Sequence, residues 1–278
     1  MSYNKTIQMC IFEGTPNGRI MCELSNWNGR VYKISRSELA KFAQREDSEN
    51  TGVYFLFGKD DENNDTVYIG EAEKILSRLK QHLKDTAYWN DCVAVVSKDN
   101  LLNKAHVKYL ENAFYMLALN AGRAVIINNT IPTCSSVSEY DEAMLLEFID
   151  NAKLLVNTLG YKVFETIDDA GQTNTPEYFY ITAARGAKAK GLIVSDGFAV
   201  LKGTKIACST VPSMPESLIK FRNSLIDKGI IDENFEFTKD YIFTSPSLAA
   251  SVVMGRSANG RTEWKNDEHK SIKDIEEA

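Results

Sequence analysis

Five side chains between positions 54 and 111 bring together groups that can move protons and stabilise negative charge. They are Tyr54, Tyr68, Arg78, His82 and Glu111. Phenol and imidazole groups serve as general acids and bases, a guanidinium stabilises a growing negative charge, and a carboxylate can hold a divalent cation. Taken singly, each residue has an ordinary structural explanation in strand packing, a solvated helix face or an ion pair. The chemical interpretation therefore depends on a fold that places them together.

The two tyrosines lie in the middle of two short β-rich segments. GVYFLF and TVYIG flank the polar stretch GKDDENND, which predicts a β-hairpin. Side chains alternate between the two faces of a strand, and the apolar neighbours of each tyrosine have the opposite parity. If the strands pair antiparallel, the phenols of Tyr54 and Tyr68 emerge on the same face of the sheet.

Arg78, His82 and Glu111 fall on two predicted helices. Arg78 and His82 are one helical turn apart, so their side chains project together. The segment LLNKAHVKYLENAFYMLALNAGR predicts a long amphipathic helix whose apolar stripe includes Val107 and Phe114. Glu111 lies on or beside this stripe, where few carboxylates are expected.

The order, spacing and types of these residues resemble the GIY-YIG nuclease domain. The resemblance covers roughly residues 51–135 and rests on GVY at 52–54, YIG at 68–70, Arg78, His82, and Glu111 within KYLEN. Val53 stands where the family name has isoleucine, which is a conservative change in a core. The resemblance implies a small mixed sheet flanked by helices.

The resemblance also implies a metal-dependent endonuclease that hydrolyses phosphodiester bonds in DNA. One Mg²⁺ or Mn²⁺ ion per active site would have Glu111 as its sole protein ligand, with phosphate oxygens and water completing the shell. Tyr54 is our candidate for the general base, and Tyr68 would orient water or share that role. Arg78 would stabilise the charge on the phosphate.

Two further roles follow from the same resemblance. His82 would relay a proton to or from the phenol or the phosphate. The family uses an asparagine after the glutamate helix, and IINNTIP offers Asn128 and Asn129, of which we favour Asn128. This side chain would pin the active-site loop or the DNA backbone. His106, one turn before Glu111, is interpreted as structural.

The chain as a whole predicts an α+β protein. Its length of 278 residues corresponds to about two domains. The predicted boundaries are 1–50 for an N-terminal β-rich segment, 51–160 for the nuclease domain, 161–177 for a linker, and 178–278 for a second small α+β domain. The first segment contains a hairpin, TIQMCIF and GRIMCEL around GTPNG, and then a short helix capped by Ser37. The last resembles a C-terminal domain of unassigned role that accompanies some GIY-YIG nucleases.

Basic residues in both domains are candidates for DNA binding. They are Lys74, Lys80 and Lys84 on the first helix of the nuclease domain, and Arg185, Lys188, Lys190, Lys202 and Lys205 around one hairpin of the second domain. Such residues supply phosphate contacts whose affinity depends on salt and carries no sequence information.

Composition limits the classes of protein that the chain can represent. The net charge of −6 weakens the case for binding a polyanion over the whole surface, although a local basic patch is compatible with it. The five cysteines lie far apart and form no CxxC pair, which disfavours a disulfide framework and a zinc ribbon. No apolar run approaches the roughly 20 residues of a membrane span. We therefore expect a reduced, cytoplasmic protein without a membrane partner.

The leading hypothesis is thus a DNA endonuclease, in restriction, phage defence or mobile-element biology. The alternative is a catalytically weak module that uses the same fold to bind nucleic acid or protein. The joint presence of all five candidate side chains favours the enzyme, whereas the negative net charge favours an interaction domain.

Overall fold

The chain forms two compact units in the computed structural model. The model describes residues 4–15, 18–84, 89–166 and 177–277. The units are Met1–Thr166 and Ile167–Ala278. Most of the predicted linker, residues 167–176, lies outside the described part of the chain. The beginning of that linker belongs to the first unit, because Val163 and Phe164 are buried in its core.

The first unit is built on a mixed sheet. Its strands are β1 (Ile7–Ile11), β2 (Ile20–Leu24), β3 (Gly29–Ser35), β4 (Gly52–Lys59), β5 (Asp65–Ala72), β6 (Asp91–Ser97) and β7 (Val125–Ile126). They lie in the order β1-β2-β3-β6-β4-β5-β7. Neighbouring strands are antiparallel, except that β5 and β7 are parallel.

Helices pack against both faces of this sheet. They are α1 (Leu39–Phe42), α2 (Ile75–His82), α3 (Lys104–Ala121) and α4 (Glu139–Thr158). Val53 and Phe55 share a core with α3 and α4, on the side we call the α3 face. Tyr54 and Leu56 share a second core with α1 and α2, on the α2 face. The alternation of side chains along β4 therefore separates the two cores.

Both predicted hairpins of the first unit are confirmed, since β1 pairs with β2 and β4 pairs with β5. The predicted boundary at residue 50 does not coincide with a break in the sheet. Val95 of β6 pairs with Val31 of β3 on one side and with Val53 of β4 on the other. The N-terminal strands and the β4–β5 hairpin thus share one sheet.

Side-chain caps mark the starts of two of the four helices given for the first unit, α3 and α4. The Ser138 side chain accepts a hydrogen bond from the Asp141 amide at the start of α4, as is typical of a serine at the N-cap. The prediction that Ser37 caps a helix is wrong. Ser37 lies in a 3₁₀ turn, and α1 begins only at Leu39 without a side-chain cap. Because α1 has only four residues, burial of Leu39 and Phe42 stabilises it more than capping does.

The second unit is a smaller sheet with helices. Its strands are β8 (Tyr178–Thr182), β9 (Lys188–Val194), β10 (Gly197–Val200) and β11 (Tyr241–Phe243), in the antiparallel order β11-β10-β9-β8. Its helices are α5 (Glu216–Asp227), α6 (Pro246–Met254), α7 (Gly260–Glu263) and α8 (Ile272–Glu276). Phe198, Phe243, Val252 and Trp264 lie in its core.

The α+β class that the sequence predicts is confirmed for both units. Helix α6 has side-chain and glycine signals at its two ends, because Ser245 caps its first turn and Gly255 ends it in the left-handed conformation. Among the described residues, no helix is both long enough and apolar enough to cross a membrane.

Candidate functional site

The predicted arrangement of Tyr54 and Tyr68 on one face of the sheet is confirmed. In the β4–β5 register Tyr54 lies opposite Gly70, and Leu56 lies opposite Tyr68, so both phenols point to the α2 face. Their rings stack with centroids 6.2 Å apart. A Cβ atom at Gly70 would lie 2.4 Å from the phenol oxygen of Tyr54. Gly70 is therefore the residue that leaves room for the Tyr54 ring.

Helix α2 places a guanidinium and an imidazole against these phenols. Its apolar side presents Ile75 and Leu79 to the core, and this orients Arg78 and His82 towards the two strands. The Tyr54 oxygen lies 2.8 Å from His82 Nε2, and Arg78 Nε donates to it at 3.3 Å. We call Tyr54, Tyr68, Arg78 and His82 the phenol cluster.

The protonation of Tyr54 follows from its burial. Only 1% of Tyr54 is exposed, and burial, with the nearby Tyr68, raises the pKa of its phenol far above the ordinary value, which Arg78 opposes only in part. The hydrogen bond with Tyr54 raises the pKa of Arg78, burial opposes this only in part, and the nearby Tyr68 adds to the increase. Tyr54 is therefore a neutral phenol beside a permanent cation. Tyr68 is half-buried and is the more accessible of the two phenols.

Glu111 occupies a different environment on α3. It follows Leu110, which is buried in the core, and is itself half-buried. Burial, followed by repulsion from the Glu71 carboxylate, raises the pKa of Glu111 to about 7. Glu71 is held by Lys104, whose Nζ lies 2.9 Å from its carboxylate. We call Glu71 and Glu111 the carboxylate pair.

The carboxylate pair and the phenol cluster lie on opposite faces of β5. Glu71 lies opposite Val53 in the register, so its side chain points to the α3 face, whereas Tyr68 points to the α2 face. Strand β7 pairs with β5 only at Thr66 and Val67. The outer edge of β5 beyond these residues is not covered by another strand in the described part of the chain. Any substrate that meets both groups must therefore approach this edge.

Asn128 continues the β5–β7 ladder with its side chain. Its Oδ1 accepts from the Ile69 amide at 3.0 Å, and its Nδ2 donates to the Ile69 carbonyl at 2.7 Å. These two bonds hold the β5 backbone between Tyr68 and Gly70. Asn129 is exposed, so Asn128 is the member of the predicted pair whose amide contacts the strand.

The predicted basic residues of the first unit lie at the surface. Lys74 precedes the first turn of α2, and Lys80 and Lys84 are exposed at its end. His106 has the structural role that the sequence suggests, because it forms a capping box with Asn103 at the start of α3.

In the second unit the predicted basic residues fall into two groups, lysines at the surface and Arg185, which points inwards. The backbones of Lys188 and Lys205 pair with each other, and both side chains are exposed, as is Lys202. Lys190 lies on the same face of β9 as Lys188, with its Nζ 3.6 Å from the centre of the Tyr178 ring. Arg185 differs from the others. Its guanidinium turns inwards and donates to the Met254 carbonyl at 2.5 Å.

Sequence reasoning missed Glu71 as part of the site. The signal that could have found it is parity, because Glu71 shares the side of β5 that Val67 and Ile69 present to α3. Within the residues that the structure describes, no group of three or more histidine, cysteine, aspartate or glutamate side chains could hold a metal ion. The donors beside Glu111 are the carboxylate oxygens of Glu111 itself and of Glu71, and carboxylate oxygens are ligands that Mg²⁺ accepts in proteins.

Comparison with known proteins identifies one segment. No curated protein and no solved structure matches the chain. Residues 179–276, which comprise nearly all of the described second unit, match the family described as Domain of unknown function (DUF4357).

Proposed function

We propose that the first unit is a GIY-YIG-type nuclease domain that hydrolyses phosphodiester bonds in DNA. The observation that carries the proposal is the Tyr54 phenol between His82 Nε2 and Arg78 Nε, with Tyr68 stacked beside it. Four groups that can transfer a proton or stabilise an anion are thereby held on one surface. The β4–β5 hairpin, β6, α2 and α3 would form the core of such a domain.

In this mechanism the two tyrosines have different roles. Tyr68 is half-buried, so its phenol is the one that can reach a water molecule bound at the substrate. Tyr54 is buried and keeps its proton, so we assign it as a donor to His82 Nε2 that fixes the imidazole and can pass a proton. The water oxygen bonds to phosphorus, the ester bond to the leaving oxygen breaks, and the proton lost by water ends on that oxygen.

Arg78 provides the fixed positive charge. Its Nη1 is held by Gln81 at 2.8 Å, and its Nε lies against Tyr54. A guanidinium in this position can bind the phosphate through its remaining N–H groups. Asn128 would keep Tyr68 in register by fixing the Ile69 backbone.

Glu111 would hold a divalent cation such as Mg²⁺ or Mn²⁺. The fit rests on its chemistry, because a carboxylate destabilised by burial and by Glu71 is one that a cation would stabilise. When bound, the ion would act as a Lewis acid on the phosphate and the leaving oxygen. The carboxylate pair would keep it at the β5 edge.

A binding module remains the second candidate function, and one observation favours it. Burial raises the pKa of the Tyr54 phenol, which disfavours this phenol as the base. If Tyr68 does not supply that role, the same surface would bind a phosphate without cleaving its ester. Cleavage assays separate the two candidates directly.

The decisive experiment compares Glu111→Gln with Glu147→Gln, an exposed glutamate on α4. Both are incubated with single-stranded, duplex and branched DNA, and with RNA, in Mg²⁺ or Mn²⁺. We expect the wild-type chain and Glu147→Gln to cleave DNA, and Glu111→Gln to lose several kcal/mol of transition-state stabilisation, with each ~1.4 kcal/mol worth tenfold in rate. Binding without cleavage by the wild-type chain would establish the second candidate.

Two exposed lysines of the second unit, Lys188 and Lys202, and the half-buried Lys190 would add phosphate contacts. We expect Lys188→Glu, Lys190→Glu and Lys202→Glu, combined in one variant, to weaken DNA binding. Each lost contact should lower the slope of log affinity against log salt by roughly 0.9 for duplex DNA. Fluorescence anisotropy at several salt concentrations measures the slope. An unchanged slope would remove the second unit from DNA binding.

A further inference from the structure

Two arginines of the second unit converge on the end of α6. Arg222, on α5, is only 2% exposed, and its Nη2 donates to the Ala207 carbonyl. Arg185, in the turn between β8 and β9, is half-buried and donates through Nη2 to the Met254 carbonyl. Two guanidinium groups therefore share one buried region.

Neither guanidinium is fully satisfied. Arg222 Nη1 and Arg185 Nε are buried and have no hydrogen-bond partner among the described residues. Neither arginine forms an ion pair in the described part of the chain, and the side chains whose charges act on Arg222 are Arg185 and Cys208. Burial, together with repulsion from Arg185, lowers the pKa of Arg222. The region thus holds positive charge without a carboxylate to balance it.

The protein groups nearby compensate this charge only in part. The C-terminal end of a helix such as α6 is equivalent to about half a negative charge. The Phe235 ring lies 5.9 Å from the Arg222 guanidinium and adds a weak cation–π contact. Two full positive charges exceed both contributions. Buried charges in proteins are normally paired, because an unpaired one costs several kcal/mol of desolvation.

We propose that Arg185 and Arg222 form a binding site for a phosphate group. The guanidinium fork matches the oxygens of phosphate, and the unsatisfied Nη1 and Nε atoms supply donors that the protein does not use. Cys208, whose amide donates to the Arg185 carbonyl, and Ser209 are exposed beside the two arginines. A Cβ atom at Gly255 would lie 2.5 Å from the Ser209 carbonyl oxygen and 2.8 Å from Arg222 Nη1, so only a glycine fits beside this donor.

The phosphate could come from inorganic phosphate or from a phosphodiester of nucleic acid, which share this chemistry. The test uses the full chain and equilibrium dialysis with radiolabelled inorganic phosphate. A second series adds an oligonucleotide without terminal phosphates as competitor. Displacement of inorganic phosphate by the oligonucleotide would identify a phosphodiester as the occupant, and its failure to compete would identify the free ion.

Three variants decide whether the two arginines are the site. We expect Arg222→Met and Arg185→Met each to weaken phosphate binding by about tenfold or more, which corresponds to ~1.4 kcal/mol. Arg256→Met is the matched control, because Arg256 is a more exposed arginine of the same unit paired with Glu263 at 2.6 Å. It should bind phosphate like the wild-type chain.

Thermal unfolding provides an independent measurement. Phosphate should raise the unfolding midpoint of the wild-type chain above its value in chloride at equal ionic strength, since a ligand of the folded state stabilises it. This increment should disappear in both site variants, and Arg222→Met should be at least as stable as wild type in chloride, because an uncompensated charge is removed. If Arg222→Met does not fold, Arg185→Met and the wild-type dialysis decide. Failure of the wild-type chain to bind phosphate, or wild-type binding by Arg185→Met, would overturn the proposal.

Discussion

Two buried tyrosines on the α2 face of the first unit have contrasting partners. The phenol of Tyr32 donates to the Asp47 carboxylate, with oxygen–oxygen distances of 2.7 and 2.9 Å, and Arg30 donates to the same carboxylate at 2.5 Å. The phenol of Tyr54 lies instead between His82 and Arg78. Among the described residues, no carboxylate forms a hydrogen bond with Tyr54.

The difference separates a closed polar network around Tyr32 from an open one around Tyr54, which is the one that the proposed function would use. Around Tyr32 the charges cancel, and burial, followed by the hydrogen bond to Asp47, raises the pKa of the phenol to about 12. Around Tyr54 the positive charge of Arg78 is not balanced by an acid hydrogen-bonded to the phenol, and the imidazole can accept or return a proton. A closed polar network stabilises the fold, whereas an open one retains charge that a bound phosphate can use.

The largest effect should distinguish the two phenols by activity. We expect Tyr54→Phe to lower the rate of DNA cleavage by about 10²–10⁴, because it removes a group in the proton path. Tyr32→Phe should cleave at nearly the wild-type rate once its folded fraction is taken into account. Single-turnover cleavage measures both. Equal losses in two folded variants would contradict the distinction.

The free energy of unfolding should depend more on the network around Tyr32 than on the phenol cluster. We expect Asp47→Ala to cost about 2 kcal/mol, since it leaves the buried Tyr32 phenol without its acceptor and Arg30 with Glu23 as its remaining carboxylate partner. Arg78→Ala should cost less than about 1 kcal/mol, because Arg78 is half-exposed and its charge is not part of a closed network. Urea unfolding followed by circular dichroism gives both values. A larger cost for Arg78→Ala would mean that the phenol cluster is itself a stabilising network.

The pH dependence of stability should identify the closed network. Burial raises the pKa of Asp47, but hydrogen bonds from Tyr32 and Arg30 outweigh it and leave the pKa below the ordinary value of 3.8. The folded chain therefore binds fewer protons at Asp47 than the unfolded chain, so this contribution is complete above that value and is lost as the pH falls through the folded pKa.

The measurement is urea unfolding at several pH values in the acid range. Asp47→Asn should lose stability less steeply than the wild-type chain as the pH falls, because the substituted side chain does not titrate. Parallel acid limbs for the two proteins would show that Asp47 is not one of the groups that govern acid unfolding.

The smallest effect concerns the support of Arg78. We expect Gln81→Ala to lower the cleavage rate by less than about tenfold, since an exposed hydrogen bond contributes about 0.5–1.5 kcal/mol. Gln81→Glu should restore the acceptor and most of the rate. A loss as large as that of Tyr54→Phe would indicate that Gln81 itself contacts the substrate.

Local sequence patterns predict almost the whole arrangement of the phenol cluster. Strand parity places Tyr54 and Tyr68 on one face, and helical spacing places Arg78 and His82 side by side; the structure shows both arrangements. The burial of Tyr54 is a different matter. It depends on how α2 packs over β4, which no spacing within either element specifies, and it moves the accessible phenol to Tyr68.

Contacts between residues far apart in the chain could not be predicted from the sequence. The choice of Asn128 depends on Ile69, 59 residues away. The contact of Lys104 with Glu71 joins α3 to β5. Arg185 belongs to a basic cluster by its position in the chain, yet its guanidinium donates to Met254 because that carbonyl ends a helix nearby in space. In each case the partner follows from tertiary packing and leaves no local pattern.

The central position of β6 has a consequence for the order in which the chain folds. The β4–β5 hairpin and α2 lie within residues 52–82, so the contacts of the phenol cluster are short in sequence and can form early. Strands β1–β3 can join β4 only through β6, since Val95 pairs with both Val31 and Val53. During synthesis they must wait until β6 has left the ribosome. The strands that are made first can therefore pair with one another early, but they join the β4–β5 hairpin only once β6 is available.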